Sequence, residues 1–284
     1  MPRTQTLLPI VPFPTPGESL DGYLERLATV NGYDRADLAR LLGASPTNPL
    51  GAIPIDISRT MRDRVIALTG LSAAQITAMT VRGLGQGSPY KLATVDAGNP
   101  RTLQSARARG WFPPKGSPIC PKCLTETGMW QLLWRIPFCT ICPIHETYLI
   151  SKCPSCRRMP RTVRASVFKG WMDDPAACGN PTGSKTPCSQ DLRHTQAPVA
   201  TDKSAVVGRK VWSALSGRPM MSVNTDVRPN VYIRDLKEIS IVILSLASAT
   251  PSSSISQSLL EGEESKSLEH RRWTSAPPRD LTGD

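Results

Sequence analysis

The spacing of apolar residues divides the chain into periodic segments separated by Pro- and Gly-rich stretches. Residues 7–17 contain Pro9, Pro12, Pro14 and Pro16 and read as an extended arm, because proline withholds a backbone donor and disfavours helix just before it. Leu20, Tyr23, Leu24, Leu27 and Ala28 then fall at i, i+3, i+4, i+7 and i+8, one face of a helix that begins near Ser19 and stops at Asn31-Gly32. Asp34 caps a second, short helix carrying Leu38, Leu41 and Leu42 and ending at Gly43. A third helix is predicted over about 59–69, with Met61, Val65 and Leu68 inward, and it breaks at Gly70-Leu71-Ser72. Ser72 and Gln75 form a capping box for a fourth, with Ile76 and Met79 inward. Further on, Trp130, Leu133 and Trp134 have helical spacing, and Tyr148, Leu149 and Ile150 read as a short strand. Two more helices are predicted, over 204–215 with Val206, Val207, Val211 and Leu215, and over about 232–249 with Leu236, Ile239, Ile243 and Leu246.

Periodicity gives way to a different pattern between Cys120 and Cys188, a stretch that holds all eight cysteines. Cys120-Pro-Lys-Cys123, Cys142-Pro-Ile-His145 and Cys153-Pro-Ser-Cys156 each read C-P-x-(C or H). Two ligands separated by two residues reach one cation from a tight turn, and tetrahedral zinc suits such knuckles. Sequential pairing assigns Cys120, Cys123, Cys142 and His145 to one Zn2+, and Cys153, Cys156, Cys178 and Cys188 to a second. A rival set uses Cys139 with Cys142 and leaves His145 out, and His194 could replace Cys178 or Cys188. Disulfides are disfavoured for a chain expected in a reducing cytoplasm, because residues 1–15 hold no uninterrupted apolar signal region, and an iron–sulfur cluster or unligated thiols are the remaining alternatives to zinc.

These readings give a mainly α fold class with small zinc-knuckle subdomains. The expected organisation is an N-terminal helix-turn-helix-like helical domain (1–81), a linker or basic arm (82–118), a tandem zinc-binding region (119–190), a short C-terminal helical region (191–249) and a disordered tail (250–284). The composition, 5% aromatic with 27 prolines, favours small metal-stapled units over one large core. Short helices joined by Gly-containing turns match a helix-turn-helix, and equally any small helical bundle.

Charge sharpens the picture. The formal net charge is +11, and between residues 101 and 170 twelve Lys/Arg face two acids, Glu126 and Glu146. Two zinc sites of the proposed kind bring seven thiolates and two divalent ions, leaving about +8. A basic stretch of this density suggests a polyanion such as DNA, or RNA. The candidate phosphate contacts are Arg107 and Arg109, beside Trp111, and Arg157, Arg158, Arg161 and Arg164, which follow the third knuckle. No apolar run reaches the roughly 20 residues that cross a bilayer.

The chain resembles the TniQ family, the target-selection proteins of Tn7-like and mercury-resistance-type transposons. Two stretches carry the resemblance. One is Pro12-Phe-Pro-Thr-Pro-Gly-Glu-Ser-Leu20 with Tyr23, Arg26-Leu-Ala28 and Asn31-Gly32. The other is Cys120-Pro-Lys-Cys-Leu124, Trp134-Arg-Ile-Pro137, Cys142-Pro-Ile-His145, Leu149 and Cys153-Pro-Ser-Cys156. The resemblance spans 8–188 and extends more loosely to Asp235-Leu236. It implies a DNA-transposition accessory protein, a DNA-binding adaptor that helps select the insertion target and links it to an AAA+ ATPase. Transposase and CRISPR RNA-guided complexes are the further partners it implies, and a homodimer is left open. It also supports the sequential ligand set and the helix-turn-helix reading.

Other function classes have less behind them. A catalytic zinc needs an open position, and eight ligands suit two closed sites. There is no H-E-x-x-H, and the deaminase order of H-x-E before P-C-x-x-C is absent. The alternative to a transposition adaptor is a zinc-containing helix-turn-helix transcription regulator.

Overall fold

A computed structural model describes residues 7–44, 53–88, 90, 92–99, 101–102, 116–161, 174, 176–183, 186–218, 220–222 and 225–249. Most of the regular structure among them is helical. Four helices come first: α1 (Leu20–Val30), α2 (Arg35–Leu41), α3 (Arg59–Thr69) and α4 (Ala73–Ala78). α5 (Pro121–Thr127) opens the cysteine-rich region, and α6 (Asp202–Leu215) and α7 (Pro229–Ala249) follow it. Two small antiparallel strand pairs are also present, β1 (Ile141–Cys142) with β2 (Thr147–Tyr148), and β3 (Met220–Ser222) with β4 (Thr225–Val227).

The first four helices begin where their caps dictate. Ser19, Asp34, Ser58 and Ser72 each accept a backbone N–H in the first turn that would otherwise be unsatisfied. Ser72 and Gln75 complete the reciprocal capping box. Gly70 ends α3 in the left-handed conformation at φ 70°, which a residue with a Cβ resists. The expected apolar faces are buried. Leu20, Tyr23, Leu24 and Leu27 of α1 and Met61, Val65 and Leu68 of α3 share one core with Leu38, Leu42 and Ile76.

The proline-rich arm is pinned onto this bundle by side chains of α1 and its cap. Asn31 accepts from Ile10 N–H at 3.1 Å and donates to Ile10 C=O at 2.7 Å. Arg26 makes a two-pronged contact with buried Glu18, 2.8 Å on each side, and donates to Phe13 C=O at 3.0 Å. Prolines leave these carbonyls without neighbouring helical or sheet donors, so polar side chains supply them.

A second core joins distant parts of the chain. Ile55, Val81, Leu92 and Val95 meet Leu132, Leu133, Ile136 and Cys139, and also Val211, Leu215 and Ile233 of α6 and α7. Leu92 and Val95 lie within the stretch expected as a linker, so its described part is packed. A third core surrounds the cysteines and contains Trp130, Trp134, Ile119, Leu124 and Leu192.

Several expectations change in the structure. Trp130 and Trp134 are buried, but the segment is an extended strand-like turn into a short 3-10 helix, Leu132–Arg135, not an α-helix. The strand expected at 148–150 instead starts one residue earlier, spans only Thr147–Tyr148 and folds back onto β1, while Ile150 bridges to Ile119. On α6, Val206 and Val207 are 41% and 50% exposed, because Ala205 and Gly208 let the helix backbone approach Ile141 closely. On α7 the inward residues are Ile233 and Leu236, while Ile239 and Ile243 are 56% and 60% exposed. The expected tail lies outside the described residues, as do Arg107, Arg109, Trp111 and Arg164.

Gly208 offers a test of this seating. Its alanine variant gains helix propensity of about 1 kcal/mol. The added Cβ would, however, meet Ile141 Cβ at 2.9 Å, closer than van der Waals contact allows. Overpacking of this kind costs about 1–3 kcal/mol, so Gly208→Ala is expected to lower the urea midpoint. A raised midpoint would show that α6 is not seated on β1.

Candidate metal centres

Eight donors converge in two sets of four: Cys120, Cys123, Cys142 and His145, then Cys153, Cys156, Cys178 and Cys188. Each set is brought together by a distinct piece of local structure. Cys120 is the N-cap of α5 and Cys123 sits in its first turn, with Pro121 at the position where a missing N–H is harmless. Cys142 ends β1, and His145 lies in the turn to β2. That turn closes with Glu146 at φ 50° and its N–H donating to Cys142 C=O at 2.9 Å.

The third knuckle repeats the second. Arg157 has φ 60°, and its N–H donates to Cys153 C=O at 2.9 Å. Cys178 and Cys188 come from two segments that run antiparallel, joined by bridges Ala177↔Asp191 and Pro181↔Pro187. Backbone bonds from Gly179 N–H to Cys188 C=O (2.9 Å) and from Cys188 N–H to Asn180 C=O (2.7 Å) fix their register. Gly179, at φ 69°, makes the turn next to the ligand.

The spacing within each set fits a tetrahedral ion. Metal–ligand lengths of about 2.3 Å to sulfur and 2.0 Å to nitrogen imply edges of about 3.8 Å (S···S) and 3.5 Å (S···N). In the first set Cys123 and Cys142 sulfurs are 3.6 Å apart. His145 Nδ1 lies 3.4, 3.3 and 3.6 Å from the sulfurs of Cys120, Cys123 and Cys142. In the second, Cys153–Cys188 and Cys156–Cys178 are 3.8 and 3.7 Å apart. All eight cysteines are unbridged. Each cluster could therefore hold one metal ion, with all four positions filled by protein.

Neighbouring groups support the ligands. His145 Nε2 lies 2.9 Å from Glu126 Oε1, so Nε2–H donates to the carboxylate and the Nδ1 lone pair is left facing the thiols. Asn180, fully buried, donates Nδ2–H to Cys156 sulfur at 3.5 Å and to Met159 C=O at 2.8 Å. Thr147 Oγ1 is 3.8 Å from Cys120 sulfur. Hydrogen bonds from Cys123 and Cys142 hold the Cys120 thiol far below its usual range. Burial opposes ionisation of Cys156, but Asn180 and the neighbouring N–H and thiol groups outweigh it and bring it down to about 7. Burial pushes Cys178 up.

Both sequence-level alternatives fall outside the clusters. Cys139 is buried in the second core, and the exposed His194 lies 3.4 Å from Asp191. Glu126 was not singled out from the sequence. Its signal is the Cys123-x-x-Glu126 spacing on α5, which puts it one turn beyond a ligand.

The predicted basic residues are divided. Arg157 and Arg158 are exposed on the third knuckle, with Arg158 Nη1 donating to Pro181 C=O at 2.8 Å. Arg161, expected on the same surface, is turned inward. Its guanidinium lies 3.5 Å over the Trp130 ring and pairs with Glu25. Burial pushes its pKa down, and Glu25 and Asp21 pull it back up.

Metal analysis by native mass spectrometry is expected to find two zinc ions per chain. Cys123→Ser and Cys178→Ser should each retain one ion, whereas Cys139→Ser should retain both. Loss of an ion from Cys139→Ser would reassign the first site.

Residues 9–149 match the family model described as TniQ. The matched segment is about half of the 284-residue chain and contains the four helices and the whole first cluster, while the second cluster follows it. None of the curated proteins compared with the chain matches it. The pinned arm, the capped α1 and the Cys/His cluster thus fall together inside one matched segment, and through it the chain belongs to the TniQ family of transposition target-selection adaptors.

Proposed function

We propose that this protein is a DNA-transposition accessory adaptor that holds two structural zinc ions, binds DNA and links an insertion target to an AAA+ regulator. The observation that carries the reading is the family match, which covers the helical unit and the first cluster together. Closed four-donor sites support a scaffolding role for the metal, because substrate activation needs an open coordination position. In this reading zinc folds the knuckles and takes no part in turnover.

The two contact surfaces have separate tasks. α3, the Gly70-Leu71-Ser72 turn and α4 act as the helix-turn-helix-like unit, and the N-terminal helices contact the ATPase or transposase. Arg157 and Arg158 contact phosphates. Such contacts position a protein on a duplex without reading sequence, so site choice comes from the helical unit or from a guide complex.

Pull-down with candidate AAA+ ATPases and RNA-guided complexes, with and without DNA, tests the adaptor role. The ATPase is expected in the bound fraction, and its absence under all conditions would defeat the reading. For the DNA surface, each phosphate contact adds about 0.9 to the slope of log K against log salt. The double substitution Arg157→Ala/Arg158→Ala is expected to weaken binding and to reduce that slope by about 1–2. An unchanged slope would remove these residues from the interface.

A further inference from the structure

We propose that the second metal centre holds α1 in place through Arg161, so that the occupancy of one zinc site sets the attachment of a helix that contains no ligand. This rests on reading the second cluster as a metal centre. The segment after the third knuckle is tied to that cluster by its backbone. Cys153 N–H donates to Arg158 C=O at 2.8 Å, and Arg161 N–H donates to the C=O of the ligand Cys178 at 3.2 Å. Ser117 N–H holds Pro160 C=O at 2.9 Å, and Arg161 itself adopts φ 58°. Arg161 is therefore placed by both halves of the site, the knuckle and the Cys178–Cys188 segment.

From that position the side chain reaches across to α1. The guanidinium stacks on Trp130 and pairs with Glu25 in the second turn, with side-chain exposures of only 15% and 5%. The first turn of α1 is held from a different source. Asp21 pairs with Arg135, which also donates to Gly116 C=O at 3.1 Å, and Ser19 N–H donates to Trp130 C=O at 2.8 Å. Those contacts come from the chain that enters the first cluster. The direct cation partner of Asp21 thus comes from the stretch between the first cluster's ligands, and that of Glu25 from the segment tied to the second cluster.

The energetics make the second clasp conditional. A buried carboxylate is tolerated only while a cation and hydrogen bonds compensate its lost hydration. If the Cys178 segment parts from the knuckle, Arg161 loses its backbone anchor, and Glu25 must turn to water. The second turn of α1 then detaches from the Trp130 face, while the first turn keeps its own contacts.

The test uses the full chain, hydrogen exchange of the α1 peptide 20–30 and a zinc count on every sample. In the two-zinc protein, Glu25→Gln is expected to speed α1 exchange roughly tenfold or more, as for loss of a charge-assisted hydrogen bond. In Cys178→Ser, with one zinc, α1 should already exchange faster, and adding Glu25→Gln should change nothing further. The same acceleration by Glu25→Gln in both backgrounds would overturn the proposal. Cys156→Ser gives a second route to the one-zinc state should Cys178→Ser not fold. Arg161→Met should keep both ions, reproduce the Glu25→Gln effect and be non-additive with it; additive effects would also overturn the proposal. A wild-type chain without zinc would overturn it together with the metal reading. Two zinc ions in the wild type with unaltered α1 exchange in the one-zinc variants would overturn it alone.

Discussion

Seven thiols and one imidazole must converge in two sets of four, and the region between residues 117 and 194 is built around that requirement. Among the described residues, regular structure there amounts to one two-turn helix, a hairpin of two two-residue strands and two 3-10 turns. Such a region buries too little apolar surface to offset chain entropy alone. Its core is sulfur-rich, with the ligand cysteines packed among Ile119, Leu124, Trp130, Trp134 and Leu192. Thiolates in apolar surroundings are costly unless a cation and N–H donors compensate them. The donor geometry suits a tetrahedral ion, and such an ion would compensate the buried thiolates.

The helical unit is joined to this region by charge as well as by packing. Gly22 of α1 leaves room for Trp130, since a Cβ there would sit 3.1 Å from Trp130 Cβ. Around that contact, Asp21 meets Arg135 and Glu25 meets Arg161. Apolar contact alone would hold the two surfaces together with little preference for register. Paired charges at low exposure penalise every arrangement that leaves one unpartnered. The described part of the connecting stretch strengthens the join, because Leu92 and Val95 lie in the core shared with α6 and α7.

This construction fits an adaptor. Each cluster could hold an ion with all four donors supplied by the chain, and the region around them presents an exposed arginine pair on one knuckle while turning a third arginine inward to the helices. The family match ends at residue 149, between the two clusters. The first cluster therefore belongs to the shared family segment, and the second lies in the part that follows it, where the exposed arginines also lie.

What the sequence determined by itself was local. Caps and periodicity are short-range, so Ser19, Asp34 and Ser72 with the apolar spacing of α1 and α3 sufficed to place those helices within a residue or two. The C-P-x-(C or H) knuckles likewise carried their ligand pairs in their own spacing. The tertiary structure decided everything that depends on which surfaces meet. It assigned His145 over Cys139, because the β1–β2 turn carries one into the cluster while Cys139 packs into another core. It turned Val206 and Val207 outward, because small residues on α6 allowed closer packing on Ile141. It also took Arg161 from the basic surface, because Glu25 and Trp130, over a hundred and about thirty residues away in sequence, form its binding partners in space. Pattern reads the neighbours along the chain, and a side chain's role is fixed by the neighbours across it.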